Sequence, residues 1–253
     1  MEKETNRANI PREDVVCGLN PVYEVLNSGK EIDSILVSGT DRVGKAGKIL
    51  SMCAERRLPV KEVSSKKLDY MCCGANHQGI VAILTQARFC SVEDILKAAA
   101  DKNEAPFIVI CDEIEDPHNM GAIVRTADAA GVHGIIIPKR RSAPLSFAAS
   151  KAAAGALEYV PVARVSNLAQ EIEKLKKQGI WVYGADMNGT DYREPDYSGG
   201  CALVVGNEGS GIGRLIKEKC DMLVSLPMKG NINSLNASVA AGILMYHISG
   251  TRK

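Results

Sequence analysis

Beyond Pro106 the chain alternates between short apolar runs and stretches with helical spacing. The runs read FIVIC, GIIIP, YVPV, GIWVYG, CALVVG and MLVSLP. Between them lie NMGAIVRTADAAG, the alanine-rich FAASKAAAGAL, and SNLAQEIEKLKKQG, which sets Leu168, Ile172 and Leu175 on one face. A last helical stretch follows the polar segment around Asn236. Strands without polar alternation are buried on both faces, so the pattern predicts a parallel sheet covered by helices. Ligands of such sheets bind beyond the C-terminal ends of the strands. The loops after FIVIC, GIIIP, VYG, LVVG and SLP are therefore the places to look for function.

From Val15 to Thr85 the alternation runs on a smaller scale. Asn20-Pro21 predicts a capped helix start for PVYEVLNSG, closed by Gly29. SILV, PVKEV and GIVAIL predict strands, and AGKILSMCAERR and SSKKLDYMC predict helices. Residues 14–87 are expected to form a small α/β domain, residues 88–104 a helical linker, and residues 105–253 a larger α/β domain. The opening MEKETNRANIPRED is too charged for a signal peptide, and residues 1–13 are expected to be a disordered tail. No apolar run is long enough to span a bilayer.

Hydrophobic residues make up 45% of the chain and charged ones 24%, the balance of an ordinary globular protein. The eight cysteines are scattered through apolar runs with no C-x-x-C spacing, and the four histidines do not cluster with acids. That predicts buried free thiols, a reducing cytoplasm and no metal site. A net charge of +1 gives no global field for nucleic acid. Locally, Arg42, Lys45, Lys48, Arg56, Arg57, Lys61, Lys66 and Lys67 are opposed only by Glu55 and Glu62, and Lys139-Arg140-Arg141 follow GIIIP. Each cluster is either a solvated face or a contact for phosphate.

The loops carry the unusual residues. After CALVV comes GNEGSGIG, whose glycines suggest backbone brought close to a ligand. It matches neither a Walker A loop nor G-x-G-x-x-G, and Glu208 within it repels phosphate. A ligand with a cationic or hydroxyl-rich end suits it better. After FIVIC, Asn119 opens a helix of small residues that also carries Arg125, a side chain whose planar fork suits phosphate or carboxylate. Before the last helix stand Asn231, Asn233, Ser234, Asn236 and Ser238, more polar side chains than a helix cap uses.

NMGAIVRTADAAG, then ALVVGNEGSGI, then LPMKGNINSLNASVAAG resemble, in order, the three signature motifs of the SpoU (TrmH-type) class of SPOUT RNA methyltransferases. The first domain, with its closing GANHQGIVAIL, is similar to the small RNA-binding domain of the RlmB-like subfamily, which includes a large-subunit ribosomal RNA guanosine 2′-O-methyltransferase. The resemblance implies a parallel sheet with a C-terminal trefoil knot, a fold that periodicity alone does not give. It implies S-adenosylmethionine as methyl donor, RNA as acceptor and an obligate homodimer. By position it implies Gly206, Leu226 and Leu235 as donor contacts, with Gly184, Met228 and Ser234 nearby. It implies Asn119, Arg125, Glu208, Ser234 and Asn236 as the reacting constellation. Ribose 2′-O-methylation of large-subunit ribosomal RNA is the expected activity. A transfer RNA enzyme, an RNA-binding protein with a decayed site and a Rossmann-type nucleotide enzyme are the alternatives.

Overall fold

A computed structural model describes residues 14–28, 30–39, 43–85, 89–231 and 234–252. The tail over 1–13, Gly29, Arg42 and Asn233 lie outside the described residues. The chain divides into two compact units, residues 1–86 with 144–147, and residues 87–143 with 148–253.

In the first unit the elements run β1 (Val15–Cys17), α1 (Leu19–Asn27), β2 (Ile32–Val37), α2 (Gly44–Glu55), β3 (Val60–Glu62), α3 (Ser65–Met71) and β4 (Ile80–Leu84). The sheet order is β1-β4-β2-β3, antiparallel except for the β2–β3 pair. Val22 and Leu26 of α1 and Ile49 and Cys53 of α2 pack on one side with Ile35 and Ile80. Leu68 of α3 packs on the other with Leu36, Val81 and Ile83. The basic residues between Lys45 and Lys67 are consequently divided between two faces, separated by the edge strand β3. α1 starts earlier than Asn20-Pro21 predicts: Gly18, at φ 97°, is its N-cap.

Cys17 of β1 and Cys72, at the end of α3, form a disulfide with Cα atoms 6.1 Å apart. This corrects the expectation that every cysteine is a free thiol. The contact arises because α3 lies over the β1–β4 pair, and a separation of 55 residues hides it from sequence inspection. Cys53, Cys111 and Cys201 are buried free thiols, and burial pushes that of Cys111 up to about 12.

The second unit runs β5 (Phe89–Cys90), α4 (Val92–Asp101), β6 (Phe107–Cys111), α5 (Pro117–Ala129), β7 (Gly134–Pro138), α6 (Phe147–Ala153), a 3₁₀ turn (Ala156–Glu158), β8 (Val162–Val165), α7 (Leu168–Lys177), β9 (Trp181–Asp191), β10 (Cys201–Val205), α8 (Arg214–Lys219), β11 (Met222–Ser225) and α9 (Ala237–Thr251). Its sheet has the order β11-β9-β10-β6-β7-β8-β5, and every described pairing is parallel. Residues 88–104, expected as a linker, instead belong to this unit. Phe89–Cys90 pairs with β8, and Val92 and Ile95 are buried in the core. Leu168, Ile172 and Leu175 form the buried face of α7 as their spacing predicts.

From β6 the chain moves through β7 to β8, which lies beside the edge strand β5, then crosses so that β9 and β10 lie on the other side of β6. The order therefore reverses at the β6–β10 pair, the position where open α/β sheets bind ligands. α5 packs hard against α6. A Cβ on Gly121 would stand 2.4 Å from the Ala149 carbonyl and 2.6 Å from the Ala152 Cβ. Small residues on both helices make that approach possible.

Candidate active site

Paired strands β6 and β10 end side by side at Cys111 and Val205. Asp116 caps α5, its carboxylate accepting from the His118 N–H at 2.9 Å, with Pro117 in the first turn. That start brings Asn119 back over the strand ends, where it is buried.

Beyond β10, residues 206–213 double back on themselves. The Asn207 and Gly211 backbones exchange hydrogen bonds of 3.1 and 2.8 Å, and a Cβ on Gly206 would stand 2.2 Å from the Gly211 carbonyl carbon. Glycine at 206 is thus required by the loop's own closure. Two side chains pin the loop. Asn207 donates to the Glu113 carbonyl at 3.1 Å and accepts from the Gly209 N–H at 2.8 Å. Asp112 accepts from the Gly213 N–H at 2.8 Å. Glu208 is left at the turn.

The third strand of the site arrives from the start of α9. The Asn236 carboxamide oxygen caps that helix, accepting from the Ser238 and Val239 N–H groups at 3.0 and 3.3 Å. Its amide nitrogen donates to the Asn119 oxygen at 3.0 Å and to Glu208. Asn119 in turn donates to the same Glu208 oxygen at 2.6 Å. Three loops separated widely in sequence thereby meet in one triangle of Asn119, Glu208 and Asn236. One residue serves as both cap and site member, which explains part of the Asn/Ser cluster. Ser238 is a helix residue whose hydroxyl donates to Asn236 at 2.6 Å.

Beside the triangle lies a cavity of about 340 Å³, whose walls include Gly206, Glu208, Leu226, Met228, Ser234 and Leu235. That volume is in the range of small-molecule sites. Gly184 does not itself line the cavity but directly precedes Ala185, which does. A Cβ on Gly184 would stand 2.8 Å from Leu223 and 2.9 Å from the Cys220 sulfur, so Gly184 admits core packing under the site.

Arg125 does not join the triangle within one chain. It is exposed, and six residues of α-helix place it about 120° around α5 from Asn119. The basic run after β7 is also smaller than it looked, because Arg141 pairs with Glu113 at 2.7 Å.

Sequence inspection overlooked Asp112, Asp186 and Lys217 and gave Asn207 no role. The Asn-x-Gly turn signature marks Asn207, and Asp112 directly follows a strand end already singled out. Asp112 is buried, which pushes its carboxyl above the usual range against the opposing pull of the Gly213 N–H. A raised acid contributes stability below its unfolded pKa of about 3.9 and loses it as pH climbs through the folded value. Asp112→Asn keeps an acceptor for Gly213 without the buried charge. Its thermal midpoint relative to the native chain is expected to rise between about pH 4 and pH 7. A difference that does not change over that interval contradicts the assignment.

The SpoU rRNA Methylase family profile matches residues 106–246, and a profile described as RNA 2′-O ribose methyltransferase substrate binding matches residues 15–90. A Bacillus subtilis protein named for the TrmH family of tRNA/rRNA methyltransferases, YacO, is 48% identical over 93% of this chain and 94% of its own. Among solved structures, the AdoMet-bound rRNA methyltransferase from Sinorhizobium meliloti is 27% identical with a TM-score of 0.58, covering 92% of this chain and 85% of that one. A TrmH/SpoU tRNA modifying enzyme from A. aeolicus is 30% identical with a TM-score of 0.55, covering 63% of this chain and 83% of that one.

Proposed function

The chain belongs to the SpoU RNA methylase family, and from that premise we propose that it methylates a ribose 2′-hydroxyl in ribosomal RNA, with a large-subunit guanosine as target. It is an RNA methyltransferase that uses S-adenosylmethionine. The observation that carries this reading is the convergence of Asn119 and Asn236 on Glu208, a residue of the cavity wall. The cavity suits the donor. Val205, Val224, Leu226, Leu235 and Leu244 offer apolar walls, and its charged lining of Asp186, Glu208 and Lys217 sums to −1, opposite in sign to a sulfonium.

When bound, S-adenosylmethionine supplies a methyl group already activated by positive charge. The chain's task is to align an unreactive hydroxyl with it, a contribution of roughly 7–11 kcal/mol when geometry is right. Asn119 and Asn236 fix Glu208 at the rim through paired amide hydrogen bonds. Glu208 takes the hydroxyl proton. Arg125 holds the target phosphate and the developing alkoxide electrostatically.

Because Arg125 stands apart from its own chain's triangle, a homodimer completes the site, the Arg125 of one copy entering the triangle of the other. Val239, Ile243 and Tyr246 support that arrangement, forming an exposed apolar stripe on α9 at helical spacing. A trefoil knot fits the same path. From edge strand β11 the chain returns across β9 and β10 to bring Asn236 onto the loops after β6 and β10.

The first unit is read as the RNA-binding domain, with exposed Lys45, Lys48, Lys61, Lys66 and Lys67 available to phosphates. Its presence favours ribosomal over transfer RNA. The rRNA methyltransferase matches nearly the whole chain, whereas the tRNA modifying enzyme matches 63% of it. The same reading places the protein in the cytoplasm with its substrate. Mass-spectrometric mapping of ribose methylation in cells lacking the protein tests this. One large-subunit guanosine is expected to lose its 2′-O-methyl group; loss confined to transfer RNA contradicts the assignment.

A further inference from the structure

A second carboxylate, outside the three signature motifs, lines the donor cavity. β9 pairs with β11 through Tyr183 and Gly184, and again through Thr190 and Asp191. On β11 the corresponding residues, Leu223 and Val224, are consecutive. Ala185 to Gly189 therefore arch out of the ladder, and Ala185, Asp186, Met187 and Asn188 of that arch line the cavity. Gly189 closes the arch, since a Cβ there would stand 2.5 Å from the Leu223 and Val224 backbones.

Asp186 is the buried charge of the arch, its side chain only 8% exposed. One oxygen accepts from the Asn188 N–H at 3.0 Å, and the other pairs with Lys217, which also lines the cavity. Burial alone would raise its carboxyl, but Lys217 and the Asn188 N–H outweigh that and hold it below the usual range. The group is thus ionised, and its orientation is set before any ligand arrives. A carboxylate has about four acceptor positions, two of which are taken here. Glu208, the other carboxylate of the wall, is already engaged by two amides at the triangle.

We propose that Asp186 is a donor-recognition residue that accepts hydrogen bonds from the ribose hydroxyls of S-adenosylmethionine. The proposal rests on the reading of this cavity as the donor site. Lys217 neutralises Asp186, so the pair presents acceptor lone pairs without a net charge. That combination suits a vicinal diol rather than the donor's ammonium or sulfonium. Acidic side chains at strand ends recognise ribose in dinucleotide sites by the same chemistry.

Isothermal titration with S-adenosylmethionine and with 5′-methylthioadenosine, which keeps the ribose but lacks the amino-acid end, tests the assignment. Asp186→Ala is expected to weaken both ligands by a similar factor, about 10- to 100-fold. Asp186→Asn retains one acceptor oxygen and is expected to weaken both by less, which preserves the comparison if the alanine variant does not fold. Native affinity for both ligands in these variants overturns the proposal. So does a loss confined to S-adenosylmethionine, which would put Asp186 at the amino-acid end. If the native protein binds neither ligand, the donor reading fails and this proposal with it.

Discussion

Arg125→Ala is expected to lose methyl transfer almost completely, by about 10³-fold or more in kcat, while binding S-adenosylmethionine as tightly as the native chain. The side chain is exposed and lies off the cavity wall, so its removal leaves the donor site intact. Its stability cost is expected to be small, since surface substitutions usually stay within about 0.5 kcal/mol. The selective loss follows from where Arg125 acts: on the acceptor's phosphate and on charge that appears only in the transition state. Arg125→Lys keeps the charge without the planar fork. Its rate is expected to fall, but its pH–rate profile should keep the native shape, because Glu208 and not the guanidinium takes the proton. A profile that shifts with the lysine substitution would make Arg125 the base.

The second large effect is expected at Asn236, where two roles can be separated by choice of substitution. Asn236→Ser keeps a good capping oxygen for α9 and removes the amide that donates to Asn119 and Glu208. Stability should change by only a few tenths of a kcal/mol, whereas kcat is expected to fall about 10²-fold or more as Glu208 loses one of its two holders. Asn236→Ala removes both functions and should cost roughly a further 1 kcal/mol of stability. Comparable thermal midpoints for the two variants would show that the cap is not made by this side chain. Native kcat in Asn236→Ser would show that the triangle is not the reacting constellation.

Much of this architecture was legible in the hydrophobic pattern. The runs FIVIC, GIIIP and CALVV are strands because their unbroken apolar faces must be covered on both sides. The positions of the site loops followed from the strand ends. What sequence did not reveal depends on distant partners. β1 and β5, with three and two residues, are too short to show a period and exist only by pairing with β4 and β8. The arch from Ala185 to Gly189 is invisible in GIWVYGADMNG, because its departure is defined by consecutive residues of β11. The Cys17–Cys72 pair likewise depends on α3 lying over β1.

The motifs identified Asn119, Glu208 and Asn236, although they lie up to 117 residues apart, and the structure brings those three together. They also nominated Arg125, but helical spacing alone sets it on a different face of α5 from Asn119. That mismatch is the physical reason a second copy enters the account. The GNEGSGIG loop was legible as a ligand loop, yet the glycine at 206 serves its self-closure as well. Asp186 escaped notice because a lone acid after a strand has no signature until the cavity shows what it faces.

All of the chemistry proposed here depends on a sugar oxygen being gripped by one subunit's guanidinium over its neighbour's carboxamide–carboxylate triad. Mixing two dead proteins, Arg125→Ala and Glu208→Ala, under conditions that let subunits exchange measures this directly. Shared sites predict that each hybrid regains one intact centre, so activity returns to about one quarter of the native level. A mixture as inactive as its two components would mean that guanidinium and carboxylate must come from the same chain, which contradicts a site shared between subunits.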